Sequence, residues 1–214
     1  MSNLLQQLNT EMSSVIENGW RSLVRIGNGE GAGAGTIWHK DGLIVTNAHV
    51  AARRVRHGWG RRTSGASHNL KVTLADGRDF MAKVLAFDEE NDLAALAVDA
   101  HNLPTIALGS SWAVRPGQWV MALGHPWGVQ GAATSGIVIG KGTNLPEMPP
   151  GRDWIALSLH LRPGHSGGPL LNADGALIGI NTMITGPDVG FAIPVDTVKF
   201  FLRQALGARS GEVV

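Results

Sequence analysis

The stretch LRPGHSGGPLLNADG, residues 161–175, holds four glycines, two prolines and a lone serine, Ser166, between His165 and Gly-Gly-Pro. Glycine loses more backbone freedom on folding than any other residue, so such a cluster marks a chain that turns hard or approaches something closely. A serine hydroxyl becomes a useful nucleophile when a base takes its proton. The usual base is a histidine held in one tautomer by a carboxylate. Of the eight histidines, His39, His57, His68 and His101 lie in polar or turn-like segments that suit a surface. His49 differs: it closes GLIVTNAHVA, a strand running into small residues, where a strand end can present it at a domain edge. Asp92 opens DLAALAVD, a carboxylate at the mouth of an apolar strand that is costly to bury without a partner. Singly, the histidine has a structural explanation and the aspartate a turn explanation. Together they supply the three groups of an activated serine.

The elements that must position these residues are mostly short strands. SLVRIG, GTIWHK, GLIVTNAHV, LKVTLADG, DFMAKVLAFD and LAALAVD are apolar or alternating runs separated by turn signals such as Asp41-Gly42 and Asp76-Gly77. QWVMALG, ATSGIVIG, DWIALSL, GPLLN, ALIGINTMI and GFAIPV repeat the style, with HNLPTIALGSSWAVRPG as a connector. Many short strands predict a sandwich or barrel. Leu4, Leu5, Leu8, Met12, Val15 and Ile16 recur at helical spacing and predict a helix over residues 3–18 that stops at Gly19. A short helix is expected near 196–206. The expected organisation is an N-terminal helix (1–19), a first β unit (20–108) carrying His49 and Asp92, a second (109–207) carrying Ser166, and a tail (208–214).

Composition narrows the function classes. The chain has 214 residues, 43% apolar and 16% charged, as a globular protein does. A formal net charge of +1 argues against nucleic acid as a main partner. With no cysteine there are neither disulfides nor thiolate metal sites. No apolar run reaches the roughly 18 residues of a membrane span, so no membrane partner is expected. MSNLLQQLNTEMSS has neither a basic nor an apolar leader region, which predicts a cytoplasmic protein as the chain stands. A leader already removed would instead imply a periplasmic or other extracytoplasmic one.

His49, Asp92 and Ser166 follow the chain order of the chymotrypsin-class triad. TNAHV, DLAAL, GHSGGPLL, GINTMI and GFAIPVD together resemble the trypsin-like serine protease domain of the HtrA (Deg) family, from about Ser22 to Phe200. The resemblance implies an all-β fold of two six-stranded antiparallel β-barrels. It implies His49 as general base, Asp92 as its orienter and Ser166 as nucleophile. Gly164, His165 and Ser166 become the oxyanion loop, with the Gly164 and Ser166 amides as donors. The implied activity is endopeptidase action on unfolded or exposed polypeptides through an acyl-enzyme, with no cofactor. Activity should rise with pH as the histidine base loses its proton.

Several residues depart from that family. His165 stands where Asn is common, and GHPWG, with His125 and Trp127, replaces GNPFG. Counting back from Ser166 puts His160 at the floor of the primary specificity (S1) pocket, with Leu161, Ile180, Asn181, Thr182, Gly190 and Ala192 lining the rest. Small aliphatic P1 side chains are the default, and a cationic His160 would admit acidic ones. His125, His160 and His165 lack a compact metal-ligand spacing, so no metal site is expected. RRVRHGWGRR (53–62) reads as a solvated loop or a polyanion contact, and GEGAGAG (29–35) as a turn beside GTIW. The proline-rich loop 141–153 is expected to be mobile without ligand. The chain stops where PDZ-bearing relatives continue, which predicts a protease domain standing alone or trimmed. The N-terminal helix falls where relatives form trimers, so it is expected either to build a homotrimer or to pack back on its own barrel. A non-enzymatic alternative is a protease-like peptide-binding chaperone or adaptor with a latent triad.

Overall fold

The structure is a computed structural model that describes residues 2–27, 32–57, 60–67, 70–146, 148–185 and 188–207. For Ser2, 53–57 and 60–64 only the backbone is described. The chain opens with α1 (Ser2–Arg21). It continues through β1 (Leu23–Gly27), β2 (Ala32–His39), β3 (Leu43–Thr46), the single turn α2 (Ala48–Ala51), and the hairpin β4 (Ala52–His57) and β5 (Gly60–Ala66). Then come β6 (Leu70–Thr73), β7 (Asp79–Asp88) and β8 (Leu93–Ala97). The second half holds β9 (Trp119–Gly124), β10 (Ala132–Gly142), β11 (Trp154–Ser158), β12 (Pro169–Asn172), β13 (Leu177–Thr185), β14 (Val189–Pro194) and the helix α3 (Val195–Leu206). Two six-stranded barrels close in the orders β1-β2-β3-β8-β7-β6 and β10-β11-β14-β13-β12-β9, every pairing antiparallel. The all-β, two-barrel expectation therefore holds.

Three apolar clusters follow from the two-residue period of a strand. In β3 and β8, Ile44, Ala94 and Leu96 fill the first barrel, while Leu43, Val45, Leu93 and Ala95 face the other way. Those outward residues join Leu123, Leu171, Ile180, Phe191 and Ile193 of the second barrel and Val198 and Leu202 of α3 in a shared core. Strands buried on both faces read as continuous apolar runs, which is why LIV and LAALA show no alternation. Val120, Ala122, Ile155, Leu157 and Ala192 fill the second barrel.

Some local expectations are corrected. α1 runs through Gly19 to Arg21. A Cβ at Gly19 would meet Leu171 Cδ1 at 2.7 Å, so this glycine permits close docking on the second barrel and does not end the helix. Val15 and Ile16 pack against the shared core, whereas Leu4, Leu5 and Leu8 are exposed. Residues 32–35 of the glycine-rich stretch are strand and not turn. In the loop 141–153, Met148 is buried in the shared core with Leu145 against it, and the Gly151 N–H donates to the Thr143 carbonyl at 3.1 Å, while Thr143, Asn144, Pro149 and Pro150 are exposed. Of the stretch 53–62, residues 53–57 and 60–62 belong to the paired strands β4 and β5, and the polyanion contact read in their side chains lies outside the described residues. Among the described residues no helix is long and apolar enough to cross a membrane.

Candidate active site

His49 stands on α2 and Asp92 at the entry to β8, both from the first barrel. Asn47, which begins α2, makes no side-chain cap bond; its amide donates instead to the Asp92 carbonyl at 3.1 Å. Asp92 has φ 54°, a left-handed conformation that aspartate tolerates better than most residues. Its carboxylate accepts from the His49 amide (3.0 Å), from His49 Nδ1 (3.0 and 2.9 Å to its two oxygens) and from Thr182 Oγ1 (2.6 Å). Burial pushes the Asp92 pKa up. The His49 hydrogen bond and charge, with the Thr182 bond, outweigh that and hold it below the usual carboxylate value. With Asp92 ionised, Nδ1 of His49 carries hydrogen and Nε2 is free to act as a base, an assignment made from the bonding network.

Ser166 is presented by a loop fastened to both barrels. Its carbonyl accepts from Ala34 of β2 at 2.8 Å, and the Gly167 and Gly168 backbones pair with Asn181 of β13. Gly167 has φ +85°, and a Cβ there would fall 2.1 Å from the Ala34 carbonyl oxygen. Gly164 has φ +109° as the third residue of the turn 162–165, which the His165 amide closes onto the Arg162 carbonyl at 3.0 Å. A positive φ at that place is the type II geometry that calls for glycine. Among the described residues neither the Gly164 nor the Ser166 amide donates to a backbone carbonyl, so both are free for a ligand. Ser166 Oγ donates to the Thr182 carbonyl at 2.8 Å; the hydroxyl is turned there and not to His49.

A cavity of about 370 Å³ takes in His49, Ser166, Gly164, Leu161, Arg162, Thr182, Met183 and Ile184. Of the expected pocket residues, Leu161 and Thr182 line it. Gly190 lies behind Leu161: a Cβ there would be 2.8 Å from Leu161 Cδ1. Ile180, Asn181 and Ala192 are fully buried and do not reach the cleft. A bulge in the β13–β14 pairing between Asn181 and Met183 breaks the alternation, turning Met183 and Ile184 toward the cleft in their place. His160 is displaced from the pocket floor to the surface, its side chain 63% exposed and paired with Asp188 at 2.7 Å.

Two further histidines sit under the turn. His125 and His165 are both buried, and among the described residues Nε2 of each has no hydrogen-bond partner. Burial first, then Arg25 and His165, push the His125 pKa down to about 4. Burial lowers that of His165; the hydrogen bond with the Arg162 backbone opposes this and the Arg162 charge adds to it. The His125 amide donates to the Gly164 carbonyl at 2.9 Å and thereby braces the turn. Sequence reasoning placed Thr182 in the pocket but missed its bond to Asp92, and it missed Asn47 altogether. The signal for each was its place inside a motif already singled out, Asn47 in TNAHV and Thr182 in GINTMI.

The geometry has counterparts. The chain is 42% identical over 194 residues to Protease Do-like 1, chloroplastic, of Arabidopsis thaliana, covering 86% of this chain and 41% of that protein. It is 38% identical over 178 residues to Serine protease HTRA1B of Danio rerio, covering 81% and 35%. The chain thus spans about two fifths of the length of these relatives or less. The solved structure of the HtrA-type protease AlgW with tripeptide superposes with a TM-score of 0.76 at 30% identity, covering 94% of this chain and 63% of that one. Residues 33–180 match the model of the trypsin-like peptidase domain, a span that includes His49, Asp92 and Ser166, and by that match the chain belongs to the trypsin-like peptidase domain family.

Proposed function

We propose that the chain is a serine endopeptidase of the HtrA type, hydrolysing exposed segments of polypeptides. The observation that carries this reading is the His49 imidazole, gripped through Nδ1 by both oxygens of Asp92 in the same cleft as Ser166. A rotation about the Ser166 Cα–Cβ bond moves Oγ from the Thr182 carbonyl toward Nε2; such bonds commonly form only once substrate is bound. Oγ then attacks the scissile carbonyl carbon as its proton passes to Nε2. The oxyanion is met by the Gly164 and Ser166 amides. Loss of one such donor costs about 2.7–4 kcal/mol of transition-state stabilisation. Collapse breaks the C–N bond as the imidazolium gives its proton to the leaving amine, and water resolves the acyl-enzyme by the same steps in reverse. Leu161, Met183 and Ile184 give the specificity side of the cleft an apolar lining that suits small aliphatic P1 residues.

The Ser166–Thr182 bond favours one second reading, a latent triad in a peptide-binding adaptor. Intact-mass spectrometry after incubation with a fluorophosphonate separates the two. A single adduct on the wild-type chain, absent from Ser166→Ala, together with casein hydrolysis, supports the peptidase. No adduct on either chain supports the adaptor.

A further inference from the structure

We infer that the His165 imidazole is a proton-sensitive latch on the oxyanion turn. When neutral it holds residues 162–165 in the shape that offers the Gly164 amide to the cleft, and when protonated it releases them. The inference rests on the peptidase reading and adds a positioning residue to it.

Nδ1 of His165 lies 3.1 Å from the Arg162 nitrogen and 3.1 Å from the Arg162 oxygen. That oxygen already accepts the His165 amide at 3.0 Å. The Arg162 N–H has one hydrogen and, among the described residues, no backbone acceptor. The network therefore gives the lone pair to Nδ1 and the hydrogen to Nε2. Two hydrogen bonds of opposite direction then join the same two residues, and the turn is closed as a ring. An imidazolium breaks this arrangement. Its Nδ1–H would face the Arg162 N–H, leaving that donor without an acceptor. Its charge would also be spread onto Nε2, which is buried and, among the described residues, has no hydrogen-bond partner.

The surroundings give the charge little help. The Arg162 guanidinium lies on the same turn. His125 comes from the segment after β9, and it has Arg25 of β1 as its own neighbour. All three are cationic or become so in acid. The Arg162 carbonyl alone favours the charged ring. A buried charge with one partner is relieved most easily by opening the turn to water. That step discards the φ +109° geometry of Gly164 and, with it, the oxyanion donor.

The test compares the wild-type chain with His165→Asn and His165→Leu. Asparagine sets Oδ1 at the same number of bonds from Cα as Nδ1, as an acceptor that does not titrate. Peptide hydrolysis is followed between about pH 4 and pH 8, where imidazole titrates, using only those pH values at which circular dichroism shows a folded chain. The wild type should lose log(kcat/KM) in acid with a slope steepening from one toward two, one proton for the base and one for the latch. His165→Asn should hold a slope of one. His165→Leu should lower kcat about ten- to a hundredfold at neutral pH, KM staying within about twofold, and Asn should recover most of that loss. A wild-type slope in His165→Asn, or full kcat in His165→Leu, overturns the latch. If the leucine variant does not fold, the asparagine slope decides.

Nitrogen-15 NMR of the histidine-labelled full chain separates the two proposals. Hydrogen on Nδ1 of neutral His165 refutes the latch whatever the activity. Hydrogen on Nε2 in a chain that takes no fluorophosphonate at any pH refutes the peptidase and supports the latch geometry.

Discussion

Thr182→Val isolates what one hydroxyl does for the triad. The two side chains are nearly isosteric, so the change replaces the 2.6 Å donor to Asp92 Oδ2 with a methyl group. The carboxylate is only 15% exposed, and its remaining side-chain and amide donors all belong to His49. A hydrogen bond to a charged group is worth about 1.5–3 kcal/mol, so the variant should lose about that much stability near neutral pH. The catalytic cost is smaller, because the bond exists before and during the transition state, and only its growth as the imidazolium forms affects the rate. About half the stability term, roughly 0.75–1.5 kcal/mol, is a loss of about three- to twelvefold in kcat/KM. The pH behaviour has a fixed sign. Stability from a carboxylate whose folded pKa is depressed is fully present above the unfolded value and is lost as pH falls through the folded one. Without Thr182, burial regains weight against His49, so the Asp92 pKa rises toward its unfolded value, and the acid loss becomes smaller and is complete at a higher pH. Urea denaturation and the rate of fluorophosphonate labelling read the two effects, and Thr182→Ser, which keeps the hydroxyl, should restore both. Stability within about 0.3 kcal/mol of wild type with an undiminished labelling rate would refute the reasoning. So would a serine variant as impaired as the valine.

Other outcomes follow from the same geometry. Gly167→Ala must place a Cβ 2.1 Å from the Ala34 oxygen at φ +85°, so denaturant melts should show a loss of more than about 2 kcal/mol and mass spectrometry no adduct. His125 has a folded pKa lowered to about 4, so the unfolded chain binds the extra proton first. Wild-type stability should decline by about 3 kcal/mol as pH falls from the ordinary imidazole value toward that one, and His125→Asn should flatten the decline in a pH series of urea melts. Because the His160 imidazole is engaged by Asp188 outside the cleft, a P1 library should show Val, Ala or Leu cleaved in preference to Glu or Asp even in mild acid. The exposed Leu4, Leu5 and Leu8 are proposed to meet their counterparts in a homotrimer. Sedimentation should give a trimer that Leu4→Glu with Leu8→Glu dissociates, and a monomeric wild type would end that proposal.

The sequence by itself determined an all-β chain of many short strands, and the resemblance of its motifs to the HtrA (Deg) family implied the two barrels and the candidate residues His49, Asp92 and Ser166. Strand periodicity, turn signals and the glycine run around Ser166 are local properties, and each local choice agrees with the global fold. It could not say which pocket residues reach the cleft, because a single bulge after Asn181 reverses the faces that simple alternation assigns. Nor did it place His160, whose partner Asp188 lies on the far side of two strands. The fastening of Ser166 to β2, the Thr182 bond to Asp92 and the Arg162–His165 ring join residues whose meeting depends on how barrels and turns pack. The tertiary structure alone decides these, because hydrogen-bond partners and exposure are properties of distances in space, and residue type fixes only what a group is able to do once it arrives there.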